Sequence, residues 1–89
     1  MQVRTIPAEL NTRVRELCDI INELDRRKEY RYADAYKRAM DTIGDVIPFP
    51  EPIPDRVVPT MAGLYDTVIA AGRATLAYLP DTDDQPKGE

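Results

Sequence analysis

Residues 10–24 read LNTRVRELCDIINEL, and this stretch decides the fold class. Its apolar side chains Leu10, Val14, Leu17, Ile21 and Leu24 recur at spacings of four and three. That spacing stacks them along one side of an α-helix, whereas a strand would scatter them over both faces. Arg13, Arg15, Glu16, Glu23 and Arg27 fall mostly on the wet side. Thr5 and Pro7 open the helix, because a first-turn proline gives up a backbone donor that has no partner inside the helix anyway. The stripe predicts a helix over about 7–28.

Working outward, Tyr32, Tyr36, Ala39, Met40, Ile43 and Ile47 repeat the helical period and predict a second helix over about 32–46, with Gly44 weakening its last turn. The join at Glu29–Arg31 holds neither Gly nor Pro, which leaves its geometry open. A single unbroken helix through it would exceed 35 residues or so, out of line with ordinary small domains. Prolines 48, 50, 52, 54 and 59 then predict a stiff, extended crossing over 48–59, anchored on the core by Phe49, Ile53, Val57 and Val58. Thr60 suits the N-cap of a last helix over about 60–79, carried by Met61, Leu64, Tyr65, Val68, Ile69, Leu76 and Leu79. Gly72 is either an interior glycine of that helix or a break between two. The predicted architecture is an all-α bundle of three to four helices, formed by one domain over 1–80 and followed by a disordered acidic tail over 81–89.

Composition narrows the chemistry. The chain has 89 residues, 43% of them hydrophobic, enough for a thin core. The formal charge of −4 is unevenly spread. Residues 1–38 carry nine basic and seven acidic side chains, residues 39–89 three and nine. The basic half could face a polyanion, but the molecule as a whole would be repelled by one at long range.

There is no His, which removes the commonest general base and the commonest neutral metal ligand. The single Cys18, set among Leu17, Ile20 and Ile21, reads as a small buried hydrophobe and forms no internal disulfide. The four glycines are scattered and build no phosphate loop. Asp81, Asp83 and Asp84 read as solvated charge and not as a cation site. No cofactor or metal is expected. With no apolar stretch long enough for a bilayer and no leader-like N-terminus, the expected setting is cytoplasmic and away from membranes.

One constellation has a chemical flavour: Arg26, Arg27, Arg31, Tyr32, Lys37 and Arg38 interleave cations with aromatics, as surfaces that hold phosphates and stack on bases do. Asp25, Glu29 and Asp34 dilute its field. The competing reading is a solvated helix junction with its tyrosines tucked into the core.

Ile20-Ile21-Asn22-Glu23-Leu24, then Ala35-Tyr36-Lys37-Arg38-Ala39-Met40-Asp41-Thr42-Ile43, then Pro48-Phe49-Pro50-Glu51-Pro52-Ile53 resemble, in degenerate form, the amino-terminal helical domain of the family-X DNA polymerases. That domain bears a 5′-deoxyribose-phosphate lyase activity. Leu64–Arg73 is similar to the helix that follows the family's helix-hairpin-helix turn. The resemblance covers about two thirds of the chain: Tyr36 matches the tyrosine of the family's motif, Lys37 and Arg38 match its basic pair, and Arg31 and Tyr32 fall near positions the family uses to contact DNA. The departures are specific. The family's "P-G-[VI]-G" turn stands here as Pro59-Thr60-Met61-Ala62-Gly63, whose bulk blocks close backbone approach to a phosphate. Leu64 occupies the place of the Schiff-base lysine, and only an amine condenses with an aldehyde. The lyase reaction is therefore not expected. The primary expectation is a non-catalytic module that binds a protein partner or a second copy of itself; the alternative is nucleic-acid binding through residues 26–38.

Overall fold

The computed structural model describes residues 5–48 and 50–79. Three helices account for most of them: α1 (Ala8–Arg26), α2 (Tyr30–Gly44) and α3 (Val58–Tyr78). No strand occurs among the described residues. The bundle is all-α, and α3 is one continuous helix through Gly72.

Pro7 sits just outside α1 and its carbonyl accepts from the amides of Leu10 at 3.0 Å and Asn11 at 2.9 Å. The helix ends two residues short of the predicted 28, and the cause is local. Lys28 adopts a left-handed backbone with φ of 64°. Its amide donates to the Asp25 carbonyl, and the Glu29 amide reaches back to the Leu24 carbonyl, each at 2.9 Å. This pair of bonds is the Schellman closure of a helix, normally built on glycine. Lysine holding the left-handed position hides the stop from a search for Gly or Pro. The chain then turns directly into α2, which starts at Tyr30 and not at Tyr32, and ends at Gly44.

The third helix also starts earlier than expected. Thr60 is not its N-cap: Val57 is, and Pro59 lies within the first turn, where its missing N–H does no harm. A residue preceding proline is disfavoured in helical geometry. Val58 accepts it because its side chain is buried in the core, with Val57 packed beside it. Residues 45–57 form the connection. They are less extended than the prolines suggest, since the amide of Glu51 donates to the Pro48 carbonyl and that of Val57 to the Pro54 carbonyl, both at 2.9 Å. Ile53 and Val57 lean on the core as expected; Phe49 and the tail over 81–89 lie outside the described residues.

Cross-helix contacts fix the directions. Arg13 meets Asp66, and Arg27 meets the carbonyls of Leu76 and Leu79, so α1 and α3 run parallel. Tyr36 meets Thr75 and Gly44 lies near Tyr65, so α2 runs antiparallel to α3. The connection over 45–57 therefore joins neighbouring helix ends.

The core gathers Leu10, Leu17, Ile20, Ile21 and Leu24 from α1, Ala33 and Ile43 from α2, and Val58, Met61, Ala62, Tyr65 and Ile69 from α3. Removing a large buried side chain such as Leu17 or Leu24 costs about 2–5 kcal/mol, a large share of what so small a domain has. Two expected core members lie outside it: Tyr32 is 37% exposed and Leu64 43%. Ala33 takes the inward position on α2 and is buried in the core. Gly72 is buried against α1, and a Cβ at that position would stand 2.8 Å from Ile20 Cγ2.

Candidate partner-binding surface

The residues singled out between 26 and 38 do not form one face. Arg26 and Arg27 both bind Glu23, the latter at 2.8 Å through Nε. These two guanidinium groups hold the Glu23 carboxyl far below its ordinary value, at about 2, with the Arg26 hydrogen bond the larger cause. Arg27 also donates from Nη1 to the carbonyls of Leu76 at 3.0 Å and Leu79 at 3.3 Å. It thereby caps the negative end of α3 with a cation. Arg38 pairs with Asp34 one turn earlier at 2.9 Å. Arg31 and Lys37 are exposed and hold no ion pair among the described residues. At about 100° per residue, Arg31 and Arg38 share a line down α2. Lys37 and Tyr32 sit roughly 110° to either side of that line.

Tyr36, central to the polymerase-like motif, is half-buried against the core. Its hydroxyl lies 2.6 Å from Thr75 Oγ1, which in turn donates to the Ala71 carbonyl. This is a structural link from α2 to α3. Cys18 is half-buried with its sulfur 3.9 Å from that of Met40. No three of the His, Cys, Asp and Glu side chains gather at a metal-binding spacing among the described residues.

A different surface stands out once the helices are in place. Helix α1 carries eight charged side chains in 19 residues and α2 five in 15, while α3 carries two in 21, Asp66 and Arg73. Both of those lie on the edge facing α1. Arg13 takes Asp66 through Nε at 2.8 Å and Nη2 at 3.3 Å, a bidentate grip that raises the guanidinium pKa. Glu16 takes Arg73. Met61, Tyr65, Ile69 and Gly72 point inward. What remains outside is Thr60, Gly63, Thr67, Ala70, Ala74 and Ala77, all exposed, with Leu64, Ala71 and Tyr78 along the side away from α1. Tyr78 is 83% exposed. The solvent face of α3 is thus uncharged over its whole length. An ordinary surface helix is polar on the side away from the core, as α1 and α2 are. No helix among the described residues is long and apolar enough to cross a membrane.

Sequence reasoning passed over this surface because it looked for charge as the mark of binding. The available signal was the opposite one: two charges in a 21-residue helical segment. Comparison with known proteins finds no matching family, no matching curated protein and no matching solved structure.

Proposed function

We propose that this chain is a non-catalytic interaction module of the cytoplasm that binds protein through the outward face of α3. The observation carrying the reading is the uncharged exposed strip from Thr60 to Tyr78. Charged residues are depleted at the centre of protein interfaces, and exposed Leu64 and Tyr78 supply apolar and aromatic area at its margin. Nucleic-acid binding through residues 26–38 ranks second, because Arg26, Arg27 and Arg38 already spend their charge on Glu23 and Asp34. The chain holds no histidine to move a proton, and its one thiol is half-buried beside Met40, which supports a binding role over catalysis.

Affinity capture with the full chain as bait tests the reading, run for the native sequence and for Ala70→Glu and Ala74→Glu. Both positions are exposed on α3, so folding is retained, as far-ultraviolet circular dichroism would verify. The expected result is bound protein, the chain itself included, that is lost from both variants. Equal capture by all three, or none by any, would refute the proposal.

A further inference from the structure

Helices α2 and α3 leave an open groove between them on the side away from α1. The Tyr36–Thr75 contact and the approach of Gly44 to Tyr65 fix how these antiparallel helices lie against each other. In that alignment Tyr32 lies level with Tyr78, Ala39 with Ala71 and Val46 with Leu64. Spacing by sevens keeps each set of three on one line of its helix, just outward of the residues that make the contact. The large hydrophobic side chains exposed among the described residues concentrate here: Tyr32, Val46, Leu64 and Tyr78 line the groove, and Ile6 and Tyr30 stand elsewhere. The next positions outward, Ala35 and Thr42 on α2 and Thr67 and Ala74 on α3, are exposed and uncharged. The groove is therefore apolar, aromatic at one end and aliphatic at the other.

The charges beside the groove identify what covers it. A helix is stabilised by acid near its N-terminus and by base near its C-terminus. Helix α2 has the reverse: Arg31 stands in its first turn, and Asp45 caps its end. Both are exposed, and their side chains hold no ion pair among the described residues. They are two heptads apart and so share one flank of α2, beside the groove. The complement of this flank is the same flank run backwards. Laid antiparallel, a second α2 sets its Asp45 beside Arg31 and its Arg31 beside Asp45. Each charge then gains a partner of opposite sign, and each helix end gains the sign its dipole favours. Arg38, midway along the flank, comes near its own mate with its charge already met by Asp34 at 2.9 Å. Size agrees with charge. The antiparallel arrangement lays the Tyr32–Tyr78 end of one copy over the Val46–Leu64 end of the other, with Ala39 and Ala71 at the centre. A two-fold axis along the helices would instead crowd the tyrosines of both copies at one end.

We infer that the groove between α2 and α3 is covered by a second copy of the chain, face to face, on a two-fold axis that crosses the groove at the level of Ala39 and Ala71 and sets Arg31 beside the partner's Asp45. Through Leu64, Ala71 and Tyr78 the inference rests on the reading of α3 as a contact surface; it adds α2, and the identity and direction of the occupant. Self-complementary surfaces of this kind close into dimers and do not propagate. The face is two helices, or roughly 20 Å, wide and roughly 21 Å long from Tyr32 to Val46. That is the small end of specific interfaces, so the association is reversible.

Sedimentation equilibrium of the purified full chain, from roughly 10 μM to 1 mM, reads the association in the affinity range expected for small interfaces. Salt at about 0.15 M screens the long-range repulsion between two copies of charge −4. A monomer–dimer equilibrium is expected for the native sequence. Arg31→Asp and Asp45→Arg each turn both cross-copy pairs into repulsions, and each should weaken the dimer by roughly tenfold. A mixture of the two variants restores attraction at both places, so its heterodimer should recover the native affinity. Each substitution puts at an end of α2 the charge its dipole favours, so folding is retained, as circular dichroism would verify. Weakening without recovery on mixing overturns the antiparallel arrangement. Ala39→Arg, which sets a cation at the centre of the groove, should weaken the native dimer at least as much; a dimer indifferent to it shows that another face carries the association and overturns the inference. A strict monomer over the whole range overturns the second copy as occupant; loss of a different captured protein in Ala70→Glu would then still uphold the broader function.

Discussion

Two glycines of α3 should respond in opposite directions to the same substitution. In a helix interior Gly→Ala gains about 1 kcal/mol from backbone entropy and propensity. At Gly63 a new Cβ meets nothing within 4 Å, so Gly63→Ala should deliver most of that gain. At Gly72 the Cβ would stand 2.8 Å from Ile20 Cγ2 and 3.3 Å from its Cδ1. Ile20 is buried and β-branched; its Cγ2 hangs directly on Cβ, and a helical isoleucine has essentially one χ1 rotamer. The methyl cannot swing aside, so α1 and α3 must move apart. Overpacking of this order costs about 1–3 kcal/mol. Subtracting the propensity gain leaves Gly72→Ala destabilised by about 1 kcal/mol, and the two variants about 2 kcal/mol apart. For a domain this size each kcal/mol moves Tm by roughly 4–8 °C. Thermal and urea unfolding followed by circular dichroism, at a few micromolar chain so that association contributes little, would resolve the difference. A control isolates the cause: Ile20→Leu removes the Cγ2 methyl for less than about 1.5 kcal/mol, and in that background Gly72→Ala should become neutral or stabilising. If Gly72→Ala stabilises the native sequence as much as Gly63→Ala does, the close approach of α1 to α3 is not what requires a glycine.

Other perturbations have equally definite signs. Lys28 holds φ of 64°, where a Cβ costs about 1–2 kcal/mol; Lys28→Gly should raise stability by roughly 1 kcal/mol in urea unfolding while Lys28→Ala leaves it nearly unchanged, which separates backbone strain from side-chain charge. Glu23 has a folded pKa of about 2 against an ordinary 4.3 or so when unfolded, so its contribution is complete above the unfolded value and is lost as pH falls from there through about 2. Stability measured across that window should decline less in Glu23→Gln than in the native chain. Arg27→Met keeps the aliphatic stem but strands the carbonyls of Leu76 and Leu79; a loss of about 1–2 kcal/mol is expected, with faster amide exchange in the last turn of α3, and unchanged exchange there would remove Arg27 as its cap.

The candidate site shows how differently the two levels of description weigh the same residues. Arg26, Arg27 and Arg38 are basic letters in a sequence, and only folding reveals that Glu23, Asp34 and two α3 carbonyls occupy them. Tyr32 and Ala33 both fit the apolar stripe of α2 within the tolerance of a helical period. Which one the bundle covers depends on how α2 is turned against its neighbours: Ala33 is buried and Tyr32 exposed. Conversely, the low charge of α3 is plain in the sequence, but its meaning is not, since a helix poor in charge could equally be one wrapped on every side.

The sequence by itself determined the helical class, the number of apolar stripes and the proline-bearing break between the second and third. These depend on periods of a few residues and on the missing donor of proline, both local properties. The tertiary structure alone decided that lysine closes α1, that Pro59 enters α3, that Gly72 is required by the neighbouring Ile20, and that Thr60 to Tyr78 is left open. The first rests on a backbone conformation that lysine rarely adopts; the others depend on what another helix covers, and a stripe read along one chain segment carries no information about how wide its partner is.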